Sequence, residues 1–427
     1  MKQSVELRTA AWHGDLPLTI TFPYSWKVTV VEQKHSPALP EEKIREALSH
    51  PIAALPLSAL ASGRKRAAII LDDITRPTPP ETLLPWIMDE LARAGVRQSA
   101  TTIVIASGAH RRPSRDDLVR KIGARLADTM AIVHHDGVRD VEYLGKTARG
   151  TPIWVNRVVM GSDLKIGIGS ICPHPAAGFS GGSKILVPGV CGIETIRYLH
   201  DHFGMDRRRG STENEFREEL DAIATIARLD FIVNVVLNWK REIADVFAGD
   251  KTLAFRRGAT AAGELYGVAP LWDADITVAN TYPFDSSLQG MKRGFWPIAG
   301  ARPDSSRVVI GAGSMGKGYH GLEGGTSPLL PHAWQRMKTF RPFQARDWTA
   351  GWNLWRQISE RKTLAFLALC PGIKEEELKE KYPNASLYHG WDDLLAELER
   401  RHHRLPVRVA VYPSAPLQIP AKGREAK

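Results

Sequence analysis

Short apolar segments alternate with helical segments through the first third of the chain, and this alternation constrains the fold most strongly. The runs at 66–71, 101–106 and 130–133 have the length and composition of buried strands. The segments at 81–94 and 115–126, which lie between them, have helical patterns. Strands that alternate with helices form a parallel sheet covered by helices. The sequence therefore predicts an α/β fold.

Polar residues follow each of these predicted strands directly. Asp73 and Arg76 follow the first strand, and His110 follows the second. His174 comes shortly after another apolar run, at 164–169. Ligands of doubly wound sheets bind beyond the carboxyl ends of the strands. We therefore expect these four residues to line one crevice.

The length of 427 residues favours two domains rather than one core. A hydrophobic content of 43% and a charged content of 24% are typical of a soluble globular protein. We predict an N-terminal domain at 1–270, to which residues 405–427 return, and a smaller α/β domain at 271–404. The active site is expected in the cleft between the two domains.

Several classes of protein are disfavoured by composition. The chain has no apolar run of membrane-spanning length, and its N-terminus has no apolar signal core. Cys172, Cys191 and Cys370 form no CxxC pair, so reduced thiols and a cytoplasmic location are predicted. The net charge of +10 favours anionic partners, but the basic residues are scattered in short runs. We therefore expect neither a nucleic-acid partner nor a membrane partner.

The segment 171–202 is rich in glycine and histidine. Gly181 and Gly182 precede Ser183 and Lys184, and glycine amides beside a hydroxyl and an amine can form an anion-binding nest. A predicted helix at 193–202 places His200 on a rigid element. This combination indicates a site for a phosphorylated cofactor, with or without a metal. A glycine run can also be a set of tight turns, and Ile185 after the lysine excludes a Walker phosphate loop.

Five segments together resemble the lactate racemase family, whose members are nickel-dependent 2-hydroxy acid racemases and epimerases. The resemblance covers nearly the whole chain, in order and with similar spacing. The segments are DDITRPTP at 72–79, SGAHR at 107–111, HPAAGFSGGSKILVPG at 174–189, the helix that carries His200, and LQGMK at 288–292.

The resemblance implies a nickel-pincer nucleotide as the cofactor, and proteins that synthesise this cofactor as partners. It places the nickel ligand at His200. In some members a lysine is covalently attached to the cofactor, and Lys184 occupies the position of that lysine. Imidazole and sulfur ligands suit a square-planar Ni(II). The resemblance implies five further cofactor-binding positions, which are Asp73, Thr75, Gly181, Gly182 and Ser183.

The resemblance also implies the catalytic positions. It makes His110 and His174 the acid–base pair, with Arg76 at the substrate oxygen. It assigns Gln289 and Lys292 to the substrate carboxylate, and a pocket tryptophan matches Trp352, with Trp348 and Trp355 as alternatives. The implied reaction removes the hydroxyl proton while hydride leaves for the cofactor, and it passes through a planar 2-keto acid. Two bases on opposite faces are then required.

The sequence departs from the family pattern at two positions. Ala176 stands where an aromatic residue is expected, and Leu288 stands where a tyrosine is expected. Both changes remove bulk or a hydroxyl group, so the expected substrate is either a lactate-like 2-hydroxy acid or a larger or more polar one, such as malate. Arg293 could bind a second carboxylate or lie on the surface.

Two other functions use part of the same set of residues or the same type of fold. A non-catalytic binder or carrier of the nucleotide needs Lys184 and His200, but it has no use for two opposed histidines. A nicotinamide dehydrogenase needs a GxGxxG turn with an acidic residue about twenty positions later, and the chain has none. The segment His134-His135-Asp136 suggests a hydrolytic metal site, but no further ligand cluster supports it.

Overall fold

A computed structural model describes residues 2–203, 209–318, 363–404 and 406–421. The chain divides into two compact units. The central unit contains the described residues of 36–262, and the terminal unit contains those of 1–35, 263–318 and 349–427. Each unit is built around its own six-stranded sheet.

The sheet of the central unit is parallel except for one edge strand, which is antiparallel to its neighbour. The interior strands are almost wholly buried on both faces, as expected of a parallel sheet between helices. In spatial order the strands are Ile243–Gly249, Phe231–Leu237, Leu164–Ser170, Ala67–Asp72, Thr101–Ala106 and Ala131–His134.

The helices Glu41–Ser49, Leu57–Ala61, Pro80–Arg93 and Arg115–Ile122 pack their apolar residues against this sheet and share one core with it. Two antiparallel strand pairs, Val141–Lys146 with Pro152–Asn156 and Pro173–His174 with Gly178–Phe179, lie outside the main sheet. The helices are Glu41–Ser49, Leu57–Ala61, Pro80–Arg93, Arg115–Ile122, Ala124–Thr129, Arg157–Met160, Ile193–His202 and Glu215–Ile226, with 3-10 turns at Gln98–Ala100 and Gly182–Ile185. The helix Leu253–Tyr266 connects residues of the two units in sequence.

The sheet of the terminal unit is parallel throughout. Alternate residues of its strands enter two separate cores, so that Val308 and Val309 belong to opposite faces. The antiparallel hairpin Lys2–Thr9 with Leu16–Pro23 contributes to one of these cores. In spatial order the strands are Ser386–Tyr388, Leu364–Ala368, Ser306–Gly311, Ile276–Asn280, Val407–Tyr412 and Trp26–Val30.

The remaining elements of the terminal unit are short. They are the helices Leu288–Met291, Trp296–Gly300, Glu375–Lys381 and Trp391–Arg401, the 3-10 turn Lys292–Gly294, and the parallel strand pair Gly267–Val268 with Ile419–Pro420. Across the described ranges, no helix combines the length and the apolar character that crossing a membrane would require.

The predicted α/β class is confirmed, but three assignments differ from the sequence prediction. The strand Val407–Tyr412 pairs with Trp26–Val30 and Ile276–Asn280, so it joins the sheet of the terminal unit rather than that of residues 66–134. For the same reason, residues 26–30 belong to the terminal unit, although they lie within the range 1–270 predicted for the first domain. The helix predicted at 115–126 breaks at Gly123, which has φ of 79°.

Candidate active site in the central unit

Three loops of the central unit begin at the carboxyl ends of neighbouring strands. The strand Ala67–Asp72 pairs with Thr101–Ala106 on one side and with Leu164–Ser170 on the other. The loops that follow these strands carry Asp73, His110 and His174, respectively. The parallel register therefore brings the loops of these residues to one edge of the sheet, as the sequence predicted.

Asp73 and His110 form a buried pair at this edge. The Oδ2 atom of Asp73 lies 2.6 Å from Nδ1 of His110, and the side chains are 3% and 15% exposed. The other carboxylate oxygen accepts a hydrogen bond from the Thr75 amide at 3.0 Å and another from the Thr75 hydroxyl. Burial alone would raise the pKa of Asp73, but His110, Arg76 and Thr75 together hold it well below its usual value. The carboxylate is therefore ionised at neutral pH.

A second buried ion pair supports the same loop. Lys121, which is 2% exposed, lies 2.7 Å from Asp72 and also donates to the carbonyl of Arg76 at 2.9 Å. The guanidinium of Arg76 donates to the Thr75 hydroxyl at 2.8 Å. Lys121 thus connects the end of the strand to the loop that carries Arg76. The sequence did not predict a role for Lys121, since a lysine in the helix Arg115–Ile122 has no local signal of burial.

His174 is held differently from His110. It lies at the start of a tight turn between the paired strands Pro173–His174 and Gly178–Phe179. Its Nδ1 atom accepts hydrogen bonds from the backbone amides of Ala176 and Ala177, at 3.2 and 3.1 Å. The ring orientation is therefore set by the backbone of the turn itself.

Two side chains that the sequence analysis missed hold the glycine loop. Asn234 accepts from the Gly182 amide at 2.7 Å, and buried Arg217 donates to the carbonyls of Ala177, Phe179 and Gly181. Burial lowers the pKa of Arg217 to about 10, so it stays cationic at neutral pH. Asn234 had a readable signal, because it is a carboxamide inside the apolar strand FIVNVVL. Arg217 had none.

Gly182 is expected to be irreplaceable in this loop. It has φ of +60°, and a Cβ atom there would lie 2.7 Å from the Phe255 ring and 3.0 Å from the Lys251 carbonyl. Gly182→Ala should therefore lower the free energy of unfolding by about 2–4 kcal/mol, from left-handed strain and overpacking together. Gly95→Ala is the matched control, since Gly95 has φ of +83° and nothing within 4 Å of its added Cβ. Equal losses in the two variants, measured by urea unfolding, would show that the loop is not tightly packed.

Lys184 and His200 lie close enough to interact electrostatically. Lys184 is half-buried in the turn Gly182–Ile185, and His200 is half-buried near the end of the helix Ile193–His202. The Nδ1 atom of His200 lies 2.7 Å from the carbonyl of Ile196, to which it donates. Burial lowers the pKa of His200, and the charge of Lys184 lowers it further. Both groups were predicted to contact the cofactor.

The other predicted cofactor positions are buried. Ser183 is fully buried beside the Asp221 carboxylate, and Gly181 and Gly182 are buried within the loop. Ser107, at the end of the strand Thr101–Ala106, is 3% exposed, and its hydroxyl has no hydrogen-bond partner among the described residues. Such a buried, unsatisfied hydroxyl usually indicates a missing ligand, ion or water. No sequence signal had distinguished Ser107 from the rest of its loop.

Other histidines have structural surroundings. His135 is buried, with Nε2 donating to the Cys191 carbonyl at 2.8 Å and Nδ1 3.2 Å from the Asn156 amide nitrogen. Burial lowers the pKa of His135 to about 4. His202 is exposed and stacks on Tyr198. Within the described parts of the chain, no group of three or more histidine, cysteine or acidic side chains is arranged to hold a metal ion.

The predicted carboxylate-binding residues lie in the terminal unit. Gln289 is in the helix Leu288–Met291, and its Oε1 atom is buried without a hydrogen-bond partner in the part of the chain that the structure describes. Lys292 begins the following 3-10 turn. Leu288 is 1% exposed and packs into a core of the unit. Trp352, like Trp348 and Trp355, lies outside the described residues.

Comparison with known proteins places this chain in a family. Residues 13–212 match the model of the lactate racemase N-terminal domain. The lactate racemase of Lactiplantibacillus plantarum is 30% identical over 298 residues, which cover 68% of this chain and 69% of that protein. The lactate racemase of Thermoanaerobacterium thermosaccharolyticum is 31% identical over 291 residues, or 66% and 68% of the two chains.

Solved structures show the same fold. The lactate racemase apoprotein from T. thermosaccharolyticum superposes with a TM-score of 0.74 at 22% identity, over 99% of this chain and 100% of that chain. A protein from Thermotoga maritima superposes with a TM-score of 0.61 at 15% identity, over 90% and 98%. The identity to two curated relatives over two thirds of their length confirms the resemblance read from the motifs: this chain belongs to the lactate racemase family.

Proposed function

We propose that the protein is a 2-hydroxy acid racemase or epimerase that uses a nickel-pincer nucleotide. Family membership supports the reaction class. The observation that carries the proposal is the contact of Asp73 Oδ2 with His110 Nδ1, at 2.6 Å. The strand that ends before Asp73 pairs with the strand Leu164–Ser170, which leads to His174. A carboxylate that orients an imidazole is a common arrangement for proton transfer from a hydroxyl group.

The residues of the central unit fit the proposed cofactor. Because Nδ1 of His200 donates to the Ile196 carbonyl, its lone pair lies on Nε2, as a nickel ligand requires. Lys184 supplies an amine near His200, and the buried Ser107 hydroxyl supplies a polar group without a partner among the described residues. When bound, the cofactor would supply the hydride acceptor, which the side chains of a protein cannot provide.

The remaining steps fall to the side chains. His110 would accept the substrate hydroxyl proton, and Arg76 would stabilise negative charge on the same oxygen. His174 would act from the other side of the substrate. Gln289 and Lys292 would bind the carboxylate, as the resemblance implies. A planar 2-keto acid would form, and racemisation would be complete once its opposite face had regained hydride and its oxygen had regained a proton.

Nickel content and intact mass test the cofactor assignment. The chain should be produced together with the cofactor-making enzymes, purified, and compared with His200→Ala, Lys184→Ala and His202→Ala. We expect nickel near one per chain in the parent, and at least a roughly tenfold lower nickel occupancy in His200→Ala, because the protein ligand is gone. His202→Ala is the matched control, since His202 is exposed on the same helix. Mass retained after denaturation and lost in Lys184→Ala would locate a covalent link.

Turnover tests the reaction. The loaded protein should interconvert the enantiomers of at least one 2-hydroxy acid in a panel that includes lactate and malate. Malate tests the preference for a larger or more polar substrate that Ala176 and Leu288 suggest. Full nickel loading without turnover of any member of the panel would contradict the racemase and leave the cofactor-carrier function.

A further inference from the structure

The two candidate catalytic histidines use the same ring nitrogen in opposite ways. Nδ1 of His110 faces a carboxylate, which only accepts hydrogen bonds. Nδ1 of His174 faces two backbone N–H groups, which only donate. The position of the proton on each ring therefore follows from its neighbours.

For His110 the neighbours require a proton on Nδ1. Asp73 Oδ2 lies 2.6 Å away, and the second oxygen of the same carboxylate already accepts from the Thr75 amide and hydroxyl. The pKa of Asp73 is held low by His110, Arg76 and Thr75, so the carboxylate carries no proton of its own. The neutral ring of His110 then carries its lone pair on Nε2, where a base can accept a proton.

For His174 the neighbours require a lone pair on Nδ1. The amides of Ala176 and Ala177 both point at this atom, at 3.2 and 3.1 Å. A proton on Nδ1 would face two other protons, and both buried amides would lose their acceptor. The neutral ring therefore carries its proton on Nε2, and the doubly protonated ring is disfavoured.

We propose that His110 and His174 rest in opposite tautomers, so that His110 presents a proton acceptor and His174 presents a hydrogen-bond donor. The positioning groups are the Asp73 carboxylate for one ring and the amides of Ala176 and Ala177 for the other. The catalytic meaning rests on the proposed function. The resting chain is then ready for the enantiomer whose hydroxyl faces His110, and Nε2 of His174 offers a hydrogen-bond donor rather than a proton acceptor.

Nitrogen NMR of the histidine rings tests this directly. The full-length chain, with all 14 histidines labelled with ¹⁵N, is compared with His110→Gln and His174→Gln, which assign the two rings by the loss of one set of signals. At neutral pH a protonated ring nitrogen and a bare one resonate far apart. We expect Nδ1–H with bare Nε2 for His110, and Nε2–H with bare Nδ1 for His174. The readout requires neither cofactor nor turnover.

The same spectra contain the contrary outcomes. Nδ1–H on His174, or a doubly protonated His110 at neutral pH, would overturn the proposal. Asp73→Asn should alter the His110 signals and leave those of His174 in place, whereas a shift of both would contradict separate positioning. Ala176→Pro leaves only the Ala177 amide donating to Nδ1, so it should raise the share of Nδ1–H at His174, and Ala176→Gly keeps the donor as its control. If Ala176→Pro does not fold, the parent and Asp73→Asn spectra still decide.

The two proposals can fail separately. Opposite tautomers in a chain that turns over no 2-hydroxy acid would uphold the ring assignment and reject the racemase. Turnover by a chain in which His110 and His174 have the same tautomer would support the racemase and reject the ring assignment. The nitrogen NMR spectra therefore test the tautomer assignment independently of the turnover assay.

Discussion

Replacing His110 with alanine is expected to lower kcat for any 2-hydroxy acid substrate by about 10²–10⁴-fold, the usual contribution of a positioned proton-transfer group. The reason is geometric. Nδ1 of His110 is hydrogen-bonded to Asp73, which leaves Nε2 to accept the proton of the substrate hydroxyl. The measurement is the rate of interconversion of the two enantiomers by protein loaded with cofactor. Nickel content must be determined on the same sample, so that loss of metal is not mistaken for loss of chemistry.

His134→Ala is the matched control. His134 also ends a strand of the central sheet and is half-buried, but its strand lies at the edge of that sheet, and its Nδ1 atom has no hydrogen-bond partner among the described residues. We expect it to keep most of the parent activity. Asp73→Asn should lose activity in the same direction as His110→Ala, because an amide cannot hold His110 as an ionised carboxylate does. Parent-like turnover by His110→Ala with full nickel would falsify the assignment of His110 as the base.

Replacing Lys121 with methionine is expected to destabilise the chain by about 3–5 kcal/mol, the usual cost of removing one partner from a buried ion pair. Burial raises the pKa of Asp72, and the nearby ammonium of Lys121 opposes that effect at 2.7 Å. Methionine would leave Asp72 buried without its cation and would also leave the Arg76 carbonyl without its donor. Urea unfolding, followed by fluorescence and circular dichroism, measures the loss.

The double variant Asp72→Asn/Lys121→Met completes the test. It removes both charges, so it should recover a clear part of the stability lost in Lys121→Met alone. Lys43→Met is the control for lysine replacement, since Lys43 pairs with Glu46 on an exposed helix surface and should change stability little. A loss in Lys121→Met no larger than that in Lys43→Met would show that the buried pair does not stabilise the loop of Asp73 and Arg76.

Much of the central unit was readable from the sequence because its strands are buried on both faces. The run FIVNVVL and the strand AAIILD consist largely of apolar residues, and the observed strands Phe231–Leu237 and Ala67–Asp72 match them closely. The strand Ile243–Gly249 was missed. Its sequence, IADVFAG, is neither a continuous apolar run nor a regular alternation of polar and apolar residues. The strand is defined by its pairing with Phe231–Leu237.

The terminal unit shows the limit of local patterns. Val407–Tyr412 was predicted as a strand, but its partners are more than 100 residues away in sequence. An apolar run indicates that a strand is buried, but it does not say which sheet buries it. The prediction that residues 405–427 return to the first domain therefore named no partner strand, because pairing depends on residues that are distant in sequence.

By itself, the sequence determined the α/β class, the order of most strands and helices, and the loops that carry Asp73, His110, His174, Lys184 and His200. These features follow from apolar periodicity and from short motifs, both of which are local. Only the tertiary structure decided that Lys121, Asn234 and Arg217 support those loops. It also decided which ring nitrogen of each histidine meets a donor and which meets an acceptor. Hydrogen bonds and buried charges depend on the neighbours that folding brings together, and the order of residues does not specify those neighbours.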